Sequence, residues 1–255
     1  MNNIRVGCCG FPVNREKYFK KFELVEIQST FYQPMDIEKA GQLREKANSI
    51  KPDFEFSVKA FQVITHPMSS PTYKKLKKPF GKAENFGYFK STKEVYDAYE
   101  LTREIAHVLN AKIILFQTPP SFGESKENIE NLTAFFHSIK KEFVFVWEPR
   151  GLWSSETLKR IAEENKLVIG VDPFKGKAFG ELNYFRLHGL PGYNLRYKYS
   201  YQDFSKLANF CDKKENYVLF NNLNMLEDSL SFISFLKKRQ VKKKGNTEVR
   251  KATII

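Results

Sequence analysis

Three pairs in this chain, Glu148-x-Arg150, Arg186-x-His188 and Glu26-x-Gln28, combine residue types and a spacing that could do chemistry. A β-strand alternates its side chains, so residues two apart share one face and each pair can act together. Glu and His exchange protons near neutral pH, and the planar guanidinium of Arg fits carboxylate or phosphate oxygens. Lys59, Gln117, Asp172, Asn221 and Asn222 each lie at or just beyond the end of a β-branched or aromatic run, and Tyr32 and Trp153 follow closely on two more. The set reads as Glu148, His188, Asp172 and Glu26 in catalytic roles. Arg150, Arg186, Gln28, Tyr32, Lys59, Gln117, Trp153, Asn221 and Asn222 would then bind the substrate. The competing reading is that the charges neutralise one another, Glu148 with Arg186 or Asp172 with Arg150, as buried ion pairs that close a fold. Across so many run ends a site is favoured, because buried charges are costly and a purely structural core is built more cheaply from apolar residues.

Such residues converge only if the runs that carry them lie side by side and point the same way. Strand-like runs at 4–10, 24–32, 54–61, 112–117, 143–148, 167–172, 184–188 and 217–221 alternate with helical periodicity at 15–21, 36–49, 92–109, 126–140, 155–164, 202–212 and 226–238. No helix is expected between 172 and 184. This alternation implies a parallel sheet, either open and doubly wound or closed. An open sheet usually carries a Gly-x-Gly-x-x-Gly turn after its first strand, and Gly7-Cys8-Cys9-Gly10 lacks it. The expected fold is therefore a single (β/α)8 TIM-type barrel over 1–238, with a Lys-rich inserted connection at 62–90 and a basic, flexible tail at 239–255. Sites of such barrels lie at the strand C-termini, where the polar residues fall; no comparable set marks the strand beginnings.

The net charge of +13 is concentrated rather than spread. Residues 62–90 hold six lysines against Glu84, and residues 237–251 hold eight basic residues against Glu248, which leaves the rest nearly neutral. A solvated charge run explains both segments as readily as a polyanion partner does. Tyr193-Asn-Leu-Arg196-Tyr-Lys198-Tyr-Ser-Tyr201 interleaves aromatic and basic residues. It could stack bases and hold phosphates, or simply cover the barrel. Three cysteines without a Cys-x-x-Cys spacing argue against a structural zinc site or a disulfide framework, and Cys8, Cys9 and Cys211 read first as core residues. No secretory leader or membrane-length apolar run is present, so a cytoplasmic protein without a membrane partner is expected.

Five motifs stand in order: Val25-Glu26-x-x-Ser29-Thr30-Phe31-Tyr32, Gln117-x-Pro-Pro120, Glu148-x-Arg150-x-x-Trp153, Arg186-x-His188-Gly189 and Phe220-Asn221-Asn222. Together, from Val6 to about Asn222, they resemble the YecE-like family, known as domain of unknown function 72. The resemblance implies a TIM-type barrel and a site, but it brings no established reaction. That family commonly has Thr-Ser-Gly-Trp after the first glycine and Asn in the second motif; here stand Cys8-Cys9-Gly10-Phe11 and Gln28.

Two functions are expected from the residues. In the first, an enzyme, a hydrolase or a related acid–base catalyst, acts through Glu148 and His188 on a small anionic or phosphorylated ligand held by Arg150 and Arg186. No cofactor motif is present; a divalent-metal version would use Glu26, Glu148, Asp172 and His188 as ligands. In the second, a nuclease or a non-catalytic nucleic-acid binder uses the Lys-rich connection and the tail.

Overall fold

The computed structural model describes residues 2–252, with side chains described as far as Val241. Eight strands form one parallel sheet: β1 (Asn3–Cys9), β2 (Leu24–Ile27), β3 (Glu55–Lys59), β4 (Ile113–Gln117), β5 (Val144–Glu148), β6 (Val168–Ile169), β7 (Asn183–Leu187) and β8 (Glu215–Phe220). They run in the order β6-β5-β4-β3-β2-β1-β8-β7. The two ends of that order meet through a parallel bridge between Val171 and Phe185, with Val171 N–H donating to Tyr184 O at 3.1 Å and Arg186 N–H to Val171 O at 2.9 Å. The chain is thus a (β/α)8 TIM-type barrel. Closing the sheet leaves no long unpaired edge.

Helices α1 (Arg15–Lys21), α2 (Ser29–Tyr32), α3 (Ile37–Ile50), α4 (Lys93–Val108), α5 (Lys126–Ser138), α6 (Ser155–Asn165), α7 (Tyr201–Phe210) and α8 (Met225–Ala252) accompany the strands. Several starts are chemically fixed. The side chains of Asp36, Ser125, Ser154 and Ser200 accept first-turn amides, which satisfies donors the helix itself leaves free. The helices cover the outer face of the sheet through a phenylalanine-rich layer in which Phe89 meets Phe135 at 5.3 Å and Phe116 meets Phe136 at 5.1 Å. Among the described residues no helix is long and apolar enough to cross a membrane.

Four expectations change. The run 24–32 is not one strand: after Ile27 the chain turns into α2, where the Thr30 hydroxyl lies 2.9 Å from Ile27 O and 2.7 Å from Lys59 O. The sixth strand shrinks to Val168–Ile169, and a Cβ on the following Gly170 would lie 2.8 Å from Val146 Cγ1. The final helix runs past Lys238 to Ala252, so much of the segment expected as a tail continues α8; residues 253–255 lie outside the described residues. Finally, the strand beginnings do carry a polar cluster. Glu55 pairs with Arg5 at 2.8 Å and Lys112 at 2.6 Å, accepts from Tyr217 Oη at 3.0 Å, and Arg5 also pairs with Glu215. That cluster closes the bottom of the barrel.

Residues 62–90 have structure of their own. Turns of 3-10 helix at Gln62–Ile64, Pro71–Lys75 and Ala83–Asn85 are tied by buried Tyr73, stacked on Phe86 at 5.7 Å and donating to His66 O at 2.8 Å. No helix forms between Asp172 and Tyr184.

Strand packing is tightest at Gly7, where a Cβ would lie 2.3 Å from Leu24 O, whereas a Cβ on the helical Gly41 meets nothing nearer than 3.9 Å. Gly7→Ala is expected to lower stability by about 1–3 kcal/mol through forced separation of β1 and β2. Gly41→Ala is expected to raise it by about 0.5–1 kcal/mol. Urea denaturation of the two variants checks both signs.

Candidate functional site at the C-terminal mouth

Period-two alternation sets the interior. Leu24, Ile113, Leu115, Val146, Val168, Tyr184 and Leu219 pack together inside the barrel. Two residues further along the same faces stand Glu26 after Leu24, Gln117 after Leu115, Glu148 after Val146, Arg186 after Tyr184 and Asn221 after Leu219. The strand ends therefore project a polar layer onto an apolar plug.

Arg186 is the centre of that layer, 1% exposed. Its Nε and Nη2 donate to the two oxygens of Glu26 at 2.9 and 2.8 Å, and its Nη1 donates to Glu148 Oε2 at 2.5 Å. Glu26 is steadied by Tyr184 Oη at 2.9 Å, itself 2.8 Å from Ser57 Oγ. Glu148 also pairs through Oε1 with Arg150 Nη2 at 2.7 Å and accepts from Gln117 Nε2 at 3.1 Å. Burial would raise the Glu148 carboxyl, but Arg186 and then Arg150 outweigh it and hold it near 2. The same two carboxylates hold the buried Arg186 guanidinium well above its ordinary range, against the opposing effect of burial.

Gln117 passes the network on, its Oε1 accepting from Lys59 Nζ at 2.6 Å. The Lys59 ammonium lies 3.9 Å from the centre of the Phe31 ring and is 5% exposed. Burial, with the Arg186 charge adding to it, brings Lys59 from 10.5 down to about 7, with Glu26 and Glu148 opposing. Burial and the Arg186 charge likewise push His188 down to about 3, so its ring is neutral at physiological pH. Arg150 Nη2 lies 3.0 Å from His188 Nε2. Since a guanidinium only donates, Nε2 accepts and the ring proton sits on Nδ1. Among the described residues His188 Nδ1 and Arg150 Nε are both buried without a hydrogen-bond partner. Tyr193 lies over them, 4.9 Å from the His188 ring and 4.5 Å from Arg150 Cζ, with Lys175 Nζ 3.7 Å from its own centre.

The remaining expected residues divide. Gln28 donates to Asn221 Oδ1 at 3.0 Å at the rim. Asp172 does not meet Arg150: it accepts the backbone N–H groups of His188 and Phe174, both at 3.2 Å, stands 3.8 Å from Lys175, and is raised by burial. Asn222 points away, donating to Tyr197 O at 2.8 Å and Asp228 Oδ2 at 2.6 Å. Trp153 packs on Trp147 and donates to Phe122 O at 2.8 Å, in the wall rather than the mouth. Tyr32 lies one ring away, edge-on to Phe31 at 5.1 Å. Arg186, expected to hold an anionic group, has committed donors to both carboxylates, so the ion-pair reading applies to it. The four residues named for a metal do not converge; among the described residues no three His, Cys, Asp or Glu side chains form a ligand group. Between Glu26 and Glu148 the positive charge is already Arg186.

Tyr184, Ser57 and Lys175 escaped the sequence reading. Alternation would have found the first two, since Tyr184 precedes Arg186 and Ser57 precedes Lys59 by two positions. Lys175 comes from an irregular connection and carried no such signal. Both adjacent cysteines are buried in the core: Cys8 sits 3.5 Å from Ser229 Oγ outside the sheet, raised by burial to about 11, and Cys9 lies inside the barrel, its thiol also raised well above the ordinary value by burial.

A family model described as "Protein of unknown function DUF72" matches residues 14–252, and the chain belongs to that family. Within it, the fold is similar to a DUF72 family protein of Enterococcus faecalis V583, with TM-score 0.71, 22% identity, and coverage of 94% of this chain and 98% of that one. A DUF72 family protein of Thermotoga maritima MSB8 is similar at TM-score 0.67 and 20% identity, covering 92% and 100%. A xylose isomerase domain containing protein of Salmonella typhimurium LT2 shares the fold at TM-score 0.56 and 13% identity, covering 91% and 92%. No curated protein matches the chain.

Arg186→Met strands two buried carboxylates and is expected to cost about 3–5 kcal/mol in stability. Adding Glu26→Gln and Glu148→Gln to that variant should recover part of the loss in urea denaturation. A second prediction concerns pH. Because Lys59 titrates near 7 when folded and near 10.5 when free, the unfolded chain binds more protons between those values. Stability from this group therefore rises with pH across that window and is constant below it. Lys59→Met should flatten that rise; wild type and variant changing in parallel from pH about 6.5 to 9.5 would show that Lys59 titrates normally.

Proposed function

We propose that the protein is an acid–base enzyme acting on a small anionic substrate, with a phosphate ester the best fit, at the C-terminal mouth of the barrel. One observation carries this reading: two neighbouring buried N–H donors, His188 Nδ1 and Arg150 Nε, have no acceptor. A buried donor without a partner is costly, and separate oxygens of an anionic ligand would supply what each lacks. The charges agree. Arg150, Arg186, Lys59 and Lys175 face Glu26, Glu148 and Asp172, leaving one cation in excess when Lys59 is protonated.

Roles within the mouth follow from what each group can still do. Glu148, held near 2 by two guanidiniums, is a poor proton carrier at neutral pH and serves as the anchor that orients Arg150. Lys59, brought to about 7, is the group whose proton can move at physiological pH, and Gln117 orients it. His188 contributes as a neutral donor through Nδ1. Tyr193, 56% exposed and resting on Arg150, is a removable cover over the two donors.

A melting-temperature screen against small phosphate esters and carboxylates tests the reading. A ligand that stabilises wild type should lose its effect in Arg150→Met, keep it in Lys59→Met, and be turned over by wild type but not by Lys59→Met. Tyr193→Ala should bind faster. If no anion stabilises wild type in an Arg150-dependent way, the mouth is not an anion site.

A further inference from the structure

Beside the mouth lies a second feature that the proposed chemistry does not use. A cleft of about 1170 Å3 opens between the connections that follow β1, β2 and β3, lined by Arg15, Lys39, Lys74, Lys75, Lys77 and Lys78. Among the described residues Asp36 is the one carboxylate on its lining, and that side chain is occupied in capping α3, accepting from Glu38 N at 3.1 Å and Lys39 N at 3.3 Å. Half-buried Tyr32, Met35, Phe80 and Leu101 make the floor apolar.

The lysine arm is held in place. Gln33 Oε1 accepts the backbone N–H groups of Lys77 and Lys78 at 3.3 and 3.2 Å, and Lys75 Nζ lies 4.4 Å from the centre of the Tyr32 ring. Burial of Tyr73 behind the arm fixes the turn that carries Lys74 and Lys75. The cleft borders the mouth: Lys59 lies over Phe31, Phe31 meets Tyr32, and Tyr32 lies under Lys75.

We infer that this cleft binds a single-stranded nucleic acid, its cations following the phosphates and its apolar floor receiving bases. Cations around an aromatic and apolar floor are the chemistry such strands need, since every base has a π-face and every nucleotide a charge. The size agrees, because the cleft exceeds the usual span of small-molecule pockets, about 300–1,000 Å3. Lys237 and Lys238, the start of the second basic segment, are not on its lining. Arg239 donates to Asn209 at 2.8 Å and shares a depression with Asn2 and Asp212, so α8 carries Lys237 and Lys238 toward the end where β1 begins.

Fluorescence anisotropy with a labelled oligothymidine of about twelve nucleotides, read across a salt series, tests the inference. Wild type should bind at about 100 mM salt, and Lys75→Glu with Lys78→Glu should weaken binding about tenfold or more and lower the log–log salt slope by about 1.4. Lys237→Glu with Lys238→Glu makes the same change in total charge and should shift affinity less than about twofold, since neither residue is on the cleft lining and salt screens charges that do not touch the strand. Tyr32→Leu should weaken binding with the salt slope unchanged. If the charge-reversed pair melts early, Lys74→Gln with Lys77→Gln replaces it, with a smaller loss expected in the same direction. Three results overturn the inference: no binding by wild type, equal loss from the two charge-reversed pairs, or a duplex of equal length binding as tightly. The cleft pair should leave stabilisation by a small phosphate ester intact, so this inference and the mouth reading fail separately.

Discussion

The contact on which the rest of the mouth depends is the guanidinium of Arg186 between the carboxylates of Glu26 and Glu148. It ties β7 to β2 and to β5 across the interior, with no route to water. Ions buried this deeply survive only when their hydrogen bonds are filled: Glu26 and Glu148 accept from Arg186, and Tyr184 and Gln117 donate to those two carboxylates in turn. Arg186 has little left for a ligand. In the proposed reading the chemistry therefore falls outside it, to Arg150, His188 and Lys59, which connect to the central trio through Glu148 and Gln117 but are not exhausted by it.

The same packing explains why the ionisation states fall as they do. A carboxylate between two guanidiniums stays charged, a histidine behind an arginine stays neutral, and an ammonium pressed against Phe31 is brought into the neutral range. Three residues of ordinary type acquire three different ionisation states from burial and from their position relative to neighbouring charges. Of the departures from the usual family motifs, Cys9 and Gln28 lie side by side at the edge of this network, with Cys9 also beside Glu26. A polar pair has become a larger amide beside a thiol, and the Glu26–Arg186 contact stands.

Charge is arranged in separate tiers along the barrel. Arg5, Lys112, Glu55 and Glu215 close the end where the strands begin, Arg186 and its carboxylates cross the interior above the apolar plug, and the lysine arm borders the open mouth. The bottom cluster pairs off its charges, whereas the lysine arm faces solvent with Asp36, among the described residues, its one acidic neighbour in the cleft. The net charge of +13 is therefore a sum over unlike environments and not a property of one surface.

The alternation of apolar runs with helical periodicity determined the eight strands, their parallel sense and the polar layer at their C-terminal ends, because strand period and connection length are local properties of the chain. The pairs at Glu26, Glu148, Arg186 and His188 were legible for the same reason. What they do with their charges was not. Whether Arg186 meets a ligand or Glu26 depends on residues 160 positions apart. Whether Lys59 titrates near 10.5 or near 7 depends on what surrounds its ammonium once the barrel closes. The bottom cluster escaped notice because Arg5, Glu55, Lys112 and Tyr217 share no spacing and meet only through the curvature of the sheet. Residue type and spacing determined where a site could form; the folded packing decided which charges were spent on the fold and which were left uncommitted.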